Sequence, residues 1–166
     1  MASTRAIMLR EPGGPEALRL EDVAVGAPGR GQLRVRHEAI GVNFHDTYVR
    51  SGLYQTLPLP GIPGLEAAGV VVTVGEGVEG FHVGDRIAYL DKSYGGYAEE
   101  RLLDADLAIT LPDGISTALA GSVLLKGLTA GILATRVHPA RAGEWALVHA
   151  AAGGCSRNGS PGSACA

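Results

Sequence analysis

Apolar and polar residues alternate in Leu18–Val25 and Gln32–Ile40 and more weakly in Arg5–Arg10, whereas Ala67–Val74 and Arg86–Leu90 are short apolar runs bounded by glycine-rich turns. This pattern is typical of short antiparallel strands that bury one face. It predicts strands at Arg5–Arg10, Leu18–Val25, Gln32–Ile40, Ala67–Val74, Arg86–Leu90, Tyr94–Leu103 and Ala108–Leu111. Many short strands joined by tight turns favour a mostly β fold, a curved Greek-key barrel.

The segment from Asn43 to Pro63 breaks the alternation and is dense in Asn, His, Asp, Tyr, Arg and Pro. Long polar connections on a rigid barrel are the usual position of binding and catalytic groups. Residues Thr47–Ser51 could form a single helical turn. Gly52 and the prolines that follow it exclude a longer helix there.

The spacing of apolar residues changes to a helical period after Ser116, which we expect to cap a helix N-terminus. Gly121 and Gly127 lower helix propensity, so a break or a close approach is expected at each. The run Trp145–Ala152 has the pattern of the first buried strand in a doubly wound nucleotide-binding sheet. These changes predict a domain boundary near residue 115.

The last residues, 155–166, are dominated by Gly, Ser, Asn and Pro and keep no apolar period. Such a composition buries too little surface to order itself, which predicts a disordered tail. We therefore divide the chain into a domain at 1–115, a partial nucleotide-binding domain at 116–154, and the tail. The abrupt change after Gly154 indicates a C-terminal truncation. Residues 145–166 are expected to be poorly held unless a partner chain covers them.

Composition limits the classes of partner. The chain has 166 residues, 46% of them hydrophobic and 19% charged, and its formal net charge is −3. This balance gives no reason to expect nucleic acid or an acidic membrane as a partner. No apolar run is expected to reach the roughly 18 residues that span a bilayer. Both cysteines, Cys155 and Cys165, lie in the tail, so a disulfide framework is not expected and a cytoplasmic location is.

Four motifs occur in an order that resembles one family. They read GVNFHDTYVRSGLY, PGLEAAGVVVTVGEGV, VGDRIAY and KGLT. Together they resemble the quinone oxidoreductases, the zeta-crystallin-like branch of the zinc-free medium-chain dehydrogenase/reductases. The resemblance implies a GroES-like barrel followed by the start of a Rossmann-type domain. It also implies NADPH-dependent reduction of a small quinone or conjugated carbonyl, and a homodimer in the full-length family.

The resemblance extends to the zinc alcohol dehydrogenases, and two positions differ from them. Asn43 stands where those enzymes carry a zinc-binding Cys, and Leu65 stands where a His precedes Glu66. No Cys occurs before residue 155, and the five histidines are scattered. Because catalytic zinc needs about three Cys, His or carboxylate ligands, we expect no metal.

The motif G-V-N-x-x-D-x-Y places Asn43, Asp46 and Tyr48 at the expected catalytic and cofactor site. An amide and a phenol can hydrogen-bond a nicotinamide, its ribose or a substrate oxygen. From the residues alone, Asn43 could instead cap a turn while Tyr48 packs with its hydroxyl in water. Asp46 is expected to cap the turn that follows it. Arg50 and Tyr54 are candidates for the mouth of the substrate site.

Lys126 and Thr129 lie three residues apart, so they share one face of the predicted helix. The resemblance assigns them to the ribose and diphosphate of NADPH, although an exposed lysine is an alternative. Gly153 and Gly154 match an A-x-x-G-x-x-G nucleotide motif, in which glycines let backbone N–H groups approach the diphosphate. Ser156 replaces the last glycine of the motif, and the helix that should follow is missing.

Two alternatives to quinone reduction stay open at this stage. The same loop also resembles enoyl and alkenal reductases of the superfamily. A chain without most of its nucleotide-binding domain could also be a non-catalytic fragment that self-associates through an uncovered apolar face.

Overall fold

The computed structural model describes residues 2–139, 141, 143–145, 147, 149 and 153. The chain divides into two compact units, Met1–Ser122 and Val123–Ala166. All of the described strands belong to the first unit. The domain limits predicted from the sequence stay predictions, and the tail 155–166 lies outside the described residues.

Seven strands form two antiparallel sheets in the described part of the chain. In chain order they are β1 (Ala2–Leu9), β2 (Leu18–Val25), β3 (Gln32–Ile40), β4 (Glu66–Val74), β5 (Arg86–Leu90), β6 (Glu100–Asp104) and β7 (Ala108–Thr110). Strands β1 and β2 pair with each other, and the larger sheet has the order β6-β3-β4-β5-β7. Isolated bridges join Ala6 to Ala98 and Leu9 to Gly61, so β1 is tied to the segments before and after β4.

The core lies on one face of the five-stranded sheet because alternate residues of its strands point to that face. Leu33 and Val35 of β3 are fully buried, as their alternation predicts. The buried cluster is completed by Ala67, Val71, Ile87, Tyr89 and Leu103. Gly69 lets β3 and β4 approach closely, since a Cβ there would lie only 2.0 Å from the carbonyl oxygen of Arg36.

The first helix, α1, spans Phe44–Ser51, which is longer than the single turn expected from the sequence. It ends where expected, at Gly52, whose φ of 81° is a left-handed conformation that glycine adopts without strain. The strand expected at Tyr94–Leu103 is, by contrast, shorter than predicted. Tyr94 has a φ of 69°, and β6 begins only at Glu100.

The second helix, α2, spans Thr117–Ile132 and continues as a π-helical turn at Leu133–Val137. The predicted cap is confirmed, since the Oγ of Ser116 accepts the backbone N–H of Leu119 at 3.1 Å. The helix runs through Gly121 and Gly127 without a break. Most of the strand expected at Trp145–Ala152 lies outside the described residues.

Residues Thr117–Val137 are long and apolar enough to cross a membrane, by length and composition alone. The expectation that no apolar run is long enough is thereby corrected, because Lys126 interrupts the apolar sequence without interrupting the helix. Core helices of globular proteins meet the same criterion, so the helix by itself assigns no location.

Candidate functional site

Asn43 and Asp46 fix the start of α1. Asn43 is the N-cap, with an extended backbone at φ −125° and ψ 155°. The two residues form a capping box, in which each side chain faces the backbone N–H of the other. The Oδ2 of Asp46 accepts the N–H of Asn43 at 2.8 Å. Because Asp46 lies in the first helical turn, its charge also stabilises the positive end of the helix.

The side-chain amide of Asn43 faces a buried carboxylate. Its Nδ2 donates to Oε1 of Glu66 at 2.8 Å, and Glu66, the first residue of β4, has no exposed surface. A carboxylate only accepts hydrogen bonds, so the amide nitrogen, and not its oxygen, must face Glu66. The pair therefore joins the start of α1 to the start of β4.

Asp46 is also held by Tyr97, whose hydroxyl donates to Oδ2 at 2.9 Å. Burial raises the pKa of Tyr97 above its ordinary value, and the nearby Asp46 carboxylate raises it further. Tyr97 therefore keeps its proton and donates a hydrogen bond to Asp46. The other oxygen, Oδ1, is buried and has no hydrogen-bond partner among the described residues.

Tyr48 is the most accessible of the predicted catalytic groups. Its side chain is 38% exposed, and its hydroxyl makes no hydrogen bond within the described part of the chain. The ring of Tyr54 packs edge-on against it with centroids 5.2 Å apart, and Phe44 lies 6.3 Å away. Asn43 and Tyr48 thus have different surroundings: the amide is enclosed and bonded, whereas the phenol is open.

A second polar network beside α1 was not predicted from the sequence. The Nε2 of His45 lies 2.9 Å from the hydroxyl of Tyr94, which also hydrogen-bonds Thr56. The left-handed backbone of Tyr94 is held by Arg101, which donates to its carbonyl oxygen at 2.6 Å. Arg101 in turn pairs with the buried Asp91 at 2.6 Å. No sequence pattern brings these residues together, because their contacts depend on distant parts of the chain.

The predicted cofactor residues of the C-terminal part are only partly described. Lys126 and Thr129 are half-buried and lie on α2. The hydroxyl of Thr129 donates to the carbonyl oxygen of Leu125 at 2.8 Å, which leaves its oxygen as an acceptor. Gly153 forms a bend, and Gly154 lies outside the described residues.

Within the described ranges, no group of three or more His, Cys, Asp or Glu side chains is placed to hold a metal ion. At the site itself the capping amide of Asn43 donates to Glu66. Leu65, the residue before Glu66, offers no metal-binding atom. The donor set near α1 is therefore an amide, carboxylates and phenols.

Comparison with known proteins identifies the domain. The model of the alcohol dehydrogenase GroES-like domain matches residues 29–113. The chain belongs to this family. The match covers the five strands of the larger sheet and α1, and it confirms the predicted GroES-like fold class.

This GroES-like chain is similar to proteins named as oxidoreductases. It is 48% identical over 145 residues to the quinone oxidoreductase of Pseudomonas aeruginosa, covering 86% of this chain and 44% of that protein. It is 43% identical over 155 residues to a 2-haloacrylate reductase of a Burkholderia species, covering 90% and 46%. The chain thus spans less than half the length of these relatives.

Among solved structures, Escherichia coli quinone oxidoreductase complexed with NADPH matches with a TM-score of 0.89 and 39% identity. The match covers 95% of this chain and 48% of that one. The resemblance to quinone oxidoreductases found in the motifs is therefore confirmed.

Proposed function

We propose that this chain is the GroES-like, substrate-side part of a zinc-independent oxidoreductase that transfers a hydride from NADPH to a quinone. The observation that carries the proposal is the exposed phenol of Tyr48 on α1, the helix that the enclosed Asn43 caps, in a chain 48% identical to a quinone oxidoreductase. A small-molecule substrate, a cytoplasmic location and a homodimeric assembly belong to the same proposal.

Tyr48 is the group we assign to the substrate oxygen. When a quinone accepts a hydride, negative charge develops on its oxygen, and a hydrogen-bond donor at that oxygen stabilises the transition state. The Tyr48 hydroxyl is exposed and makes no hydrogen bond among the described residues, so its hydrogen is available to a ligand. The hydroquinone anion takes up its proton from solvent, and this step needs no side-chain acid.

The residues near α1 fit the nicotinamide end of a dinucleotide. An ordered ribose or carboxamide needs both donors and acceptors at fixed positions. Asn43 keeps one amide hydrogen beyond the hydrogen bond to Glu66, and the buried Oδ1 of Asp46 is an acceptor without a described partner. When bound, NADPH would supply the hydride. Asn43, Asp46 and Tyr48 would orient its nicotinamide end.

Lys126 and Thr129 are proposed to contact the ribose and diphosphate of NADPH. Lys126 is half-buried and carries a cation that suits a phosphate, and the hydroxyl oxygen of Thr129 can accept a hydrogen bond. Gly153 and Gly154 are proposed to bring backbone N–H groups to the diphosphate.

The rings beside Tyr48 favour a flat substrate. Tyr54 and Phe44 are exposed next to Tyr48, and apolar planar surfaces favour contact with a conjugated ring. Arg50 is proposed to lie at the mouth of this site. Reduction of a conjugated alkene is the second candidate, because a 2-haloacrylate reductase is 43% identical to this chain.

Thermal unfolding of the full chain during titration with NADPH tests the proposal. A ligand that binds only the folded state raises the melting temperature as its concentration exceeds the dissociation constant. We expect such a rise with NADPH, followed by NADPH oxidation when 1,4-benzoquinone is added. A flat response would contradict the proposal and favour the non-catalytic fragment. Oxidation with 2-chloroacrylate but not benzoquinone would favour the second candidate.

A further inference from the structure

Asn43 and Glu66 form a buried hydrogen-bonded pair. Only Glu66 determines which of the two side chains donates the hydrogen bond. The amide of Asn43 can rotate by half a turn with little change in shape, which exchanges its donor and acceptor ends. Glu66 cannot change in this way, since both oxygens of a carboxylate accept. With the Nδ2 of Asn43 lying 2.8 Å from Oε1, the carboxylate selects one of the two amide orientations.

We propose that Glu66 is a positioning residue that fixes the orientation of the Asn43 amide, and so determines which hydrogen-bonding groups residue 43 offers to a bound dinucleotide. Only the second part of this inference, the effect on a bound dinucleotide, rests on the proposed function. The first part, the fixed amide, concerns the free protein and can be measured without any ligand.

Accounting for the hydrogen bonds shows what the fixed amide leaves available. An asparagine side chain has two N–H donors and two acceptor lone pairs. One donor is used by Glu66, which leaves one amide hydrogen. The side-chain oxygen faces the first turn of α1, where the backbone N–H of Asp46 donates to the backbone carbonyl oxygen of Asn43 at 3.0 Å. A flipped amide would place its oxygen against the Glu66 carboxylate, and that contact is repulsive.

The packing around Glu66 keeps the carboxylate in place. A Cβ added at Gly41 would lie 2.4 Å from Oε1 of Glu66, so the glycine leaves the room that the side chain occupies. The backbone N–H of Gly41 also donates to the Glu66 carbonyl oxygen at 3.1 Å. The backbone of Glu66 is thus held by β4 and by the residue that follows β3.

Exchanging the amide and the carboxylate between positions 43 and 66 tests whether Glu66 orients the Asn43 amide or only forms a hydrogen bond with it. In the double variant Asn43→Asp/Glu66→Gln, the new amide at position 66 can donate to the new carboxylate at position 43, which restores the hydrogen bond with reversed polarity. Aspartate is also a good N-cap, so the helix start is kept. The side-chain volumes are nearly unchanged. Only the groups offered by position 43 differ, because aspartate has no side-chain N–H and carries a charge.

NADPH affinity and thermal stability should therefore respond differently. We expect Glu66→Gln, in which both amide orientations are allowed, to weaken NADPH binding by about 3- to 10-fold. In the double variant we expect the melting temperature to return towards that of the wild type, while NADPH binding stays at least about 10-fold weaker. Glu76→Gln is the matched control, since Glu76 is an exposed carboxylate paired with the exposed Arg30. If the double variant regains both stability and affinity, the pair is only structural and the proposal is wrong.

Nuclear magnetic resonance of the Asn43 side-chain amide gives the independent readout. The signal is assigned by its loss in Asn43→Asp, and the exposed amide of Gln55 serves as the internal reference. We expect hydrogen exchange of Asn43 to be at least about tenfold slower than that of Gln55, and faster in Glu66→Gln than in the wild type. Unchanged protection in Glu66→Gln would overturn the fixed-amide inference. If the wild type binds no NADPH, the proposed function fails, and this exchange measurement alone decides whether Glu66 orients Asn43.

Discussion

Tyr89 donates its phenolic hydrogen to Nε2 of His37 across 2.9 Å. The direction follows from the other ring nitrogen, since Nδ1 lies 2.6 Å from the carbonyl oxygen of Ala98, which can only accept. In the neutral ring the hydrogen is therefore on Nδ1. Burial lowers the pKa of His37 from 6.5 to about 4 and raises the pKa of Tyr89 to about 12.

The free energy of unfolding should therefore fall as the pH drops from about 6.5 to about 4. In this window the unfolded chain binds a proton at His37 and the folded chain largely does not, so acid favours the unfolded state, by about 3 kcal/mol at pH 4. Urea unfolding of the wild type and of His37→Gln at several pH values measures the effect. The variant should lose this pH dependence, whereas a control variant at the exposed His82, His82→Gln, should keep it. Equal slopes in the wild type and His37→Gln would contradict the assignment.

Replacement of Arg101 should be far more costly than replacement of an exposed arginine. Arg101→Met leaves the buried Asp91 without its cation and the Tyr94 carbonyl without its donor. We expect a loss of about 3–5 kcal/mol in the free energy of unfolding. Arg30→Met breaks the exposed pair with Glu76 and should cost less than about 1 kcal/mol. Similar losses in the two variants would refute this account of the Arg101 network.

Two alanine substitutions in α2 should act in opposite directions. Gly127→Ala raises helix propensity, and the added Cβ meets no atom within 4 Å, so it should stabilise the helix by about 0.5–1 kcal/mol. Gly121→Ala gains the same propensity, but its Cβ would lie 2.9 Å from the Cβ of Ala39 and should cost about 1–3 kcal/mol. Urea unfolding followed by circular dichroism measures both. Stabilisation by Gly121→Ala would show that the contact with Ala39 relaxes without cost.

Removal of the Tyr48 hydroxyl should affect turnover and leave the fold intact. Tyr48→Phe keeps the ring contact with Tyr54 and deletes only the donor proposed for the substrate oxygen. We expect kcat/KM for benzoquinone to fall by about 100-fold. The melting temperature should stay within about 1 °C. Tyr54→Phe, which removes the hydroxyl of the neighbouring ring, should lower kcat/KM by less than about tenfold. Full activity in Tyr48→Phe would exclude this role.

The strands were predictable from the sequence because their signals are local. Alternation sets the bounds of β2 and β3, an apolar run bounded by turns sets those of β5, and Ser116 marks the start of α2. Helix α1 was underestimated, although Asn43 and Asp46 carry the signature of a capping box three residues apart. The sequence predicted a break or a close approach at both Gly121 and Gly127. Of the two, only Gly121 lies close to another part of the chain, at Ala39.

The sequence by itself determined the family, the strand order along the chain and the residue types at the expected site. Only the tertiary structure decided that Asn43 donates to Glu66, that Tyr97 holds Asp46, and that Tyr48 is left open. The physical reason is that strand alternation and helix caps depend on neighbours within a few residues. A hydrogen bond between residues 23 or 51 positions apart exists only once the sheet has brought them together.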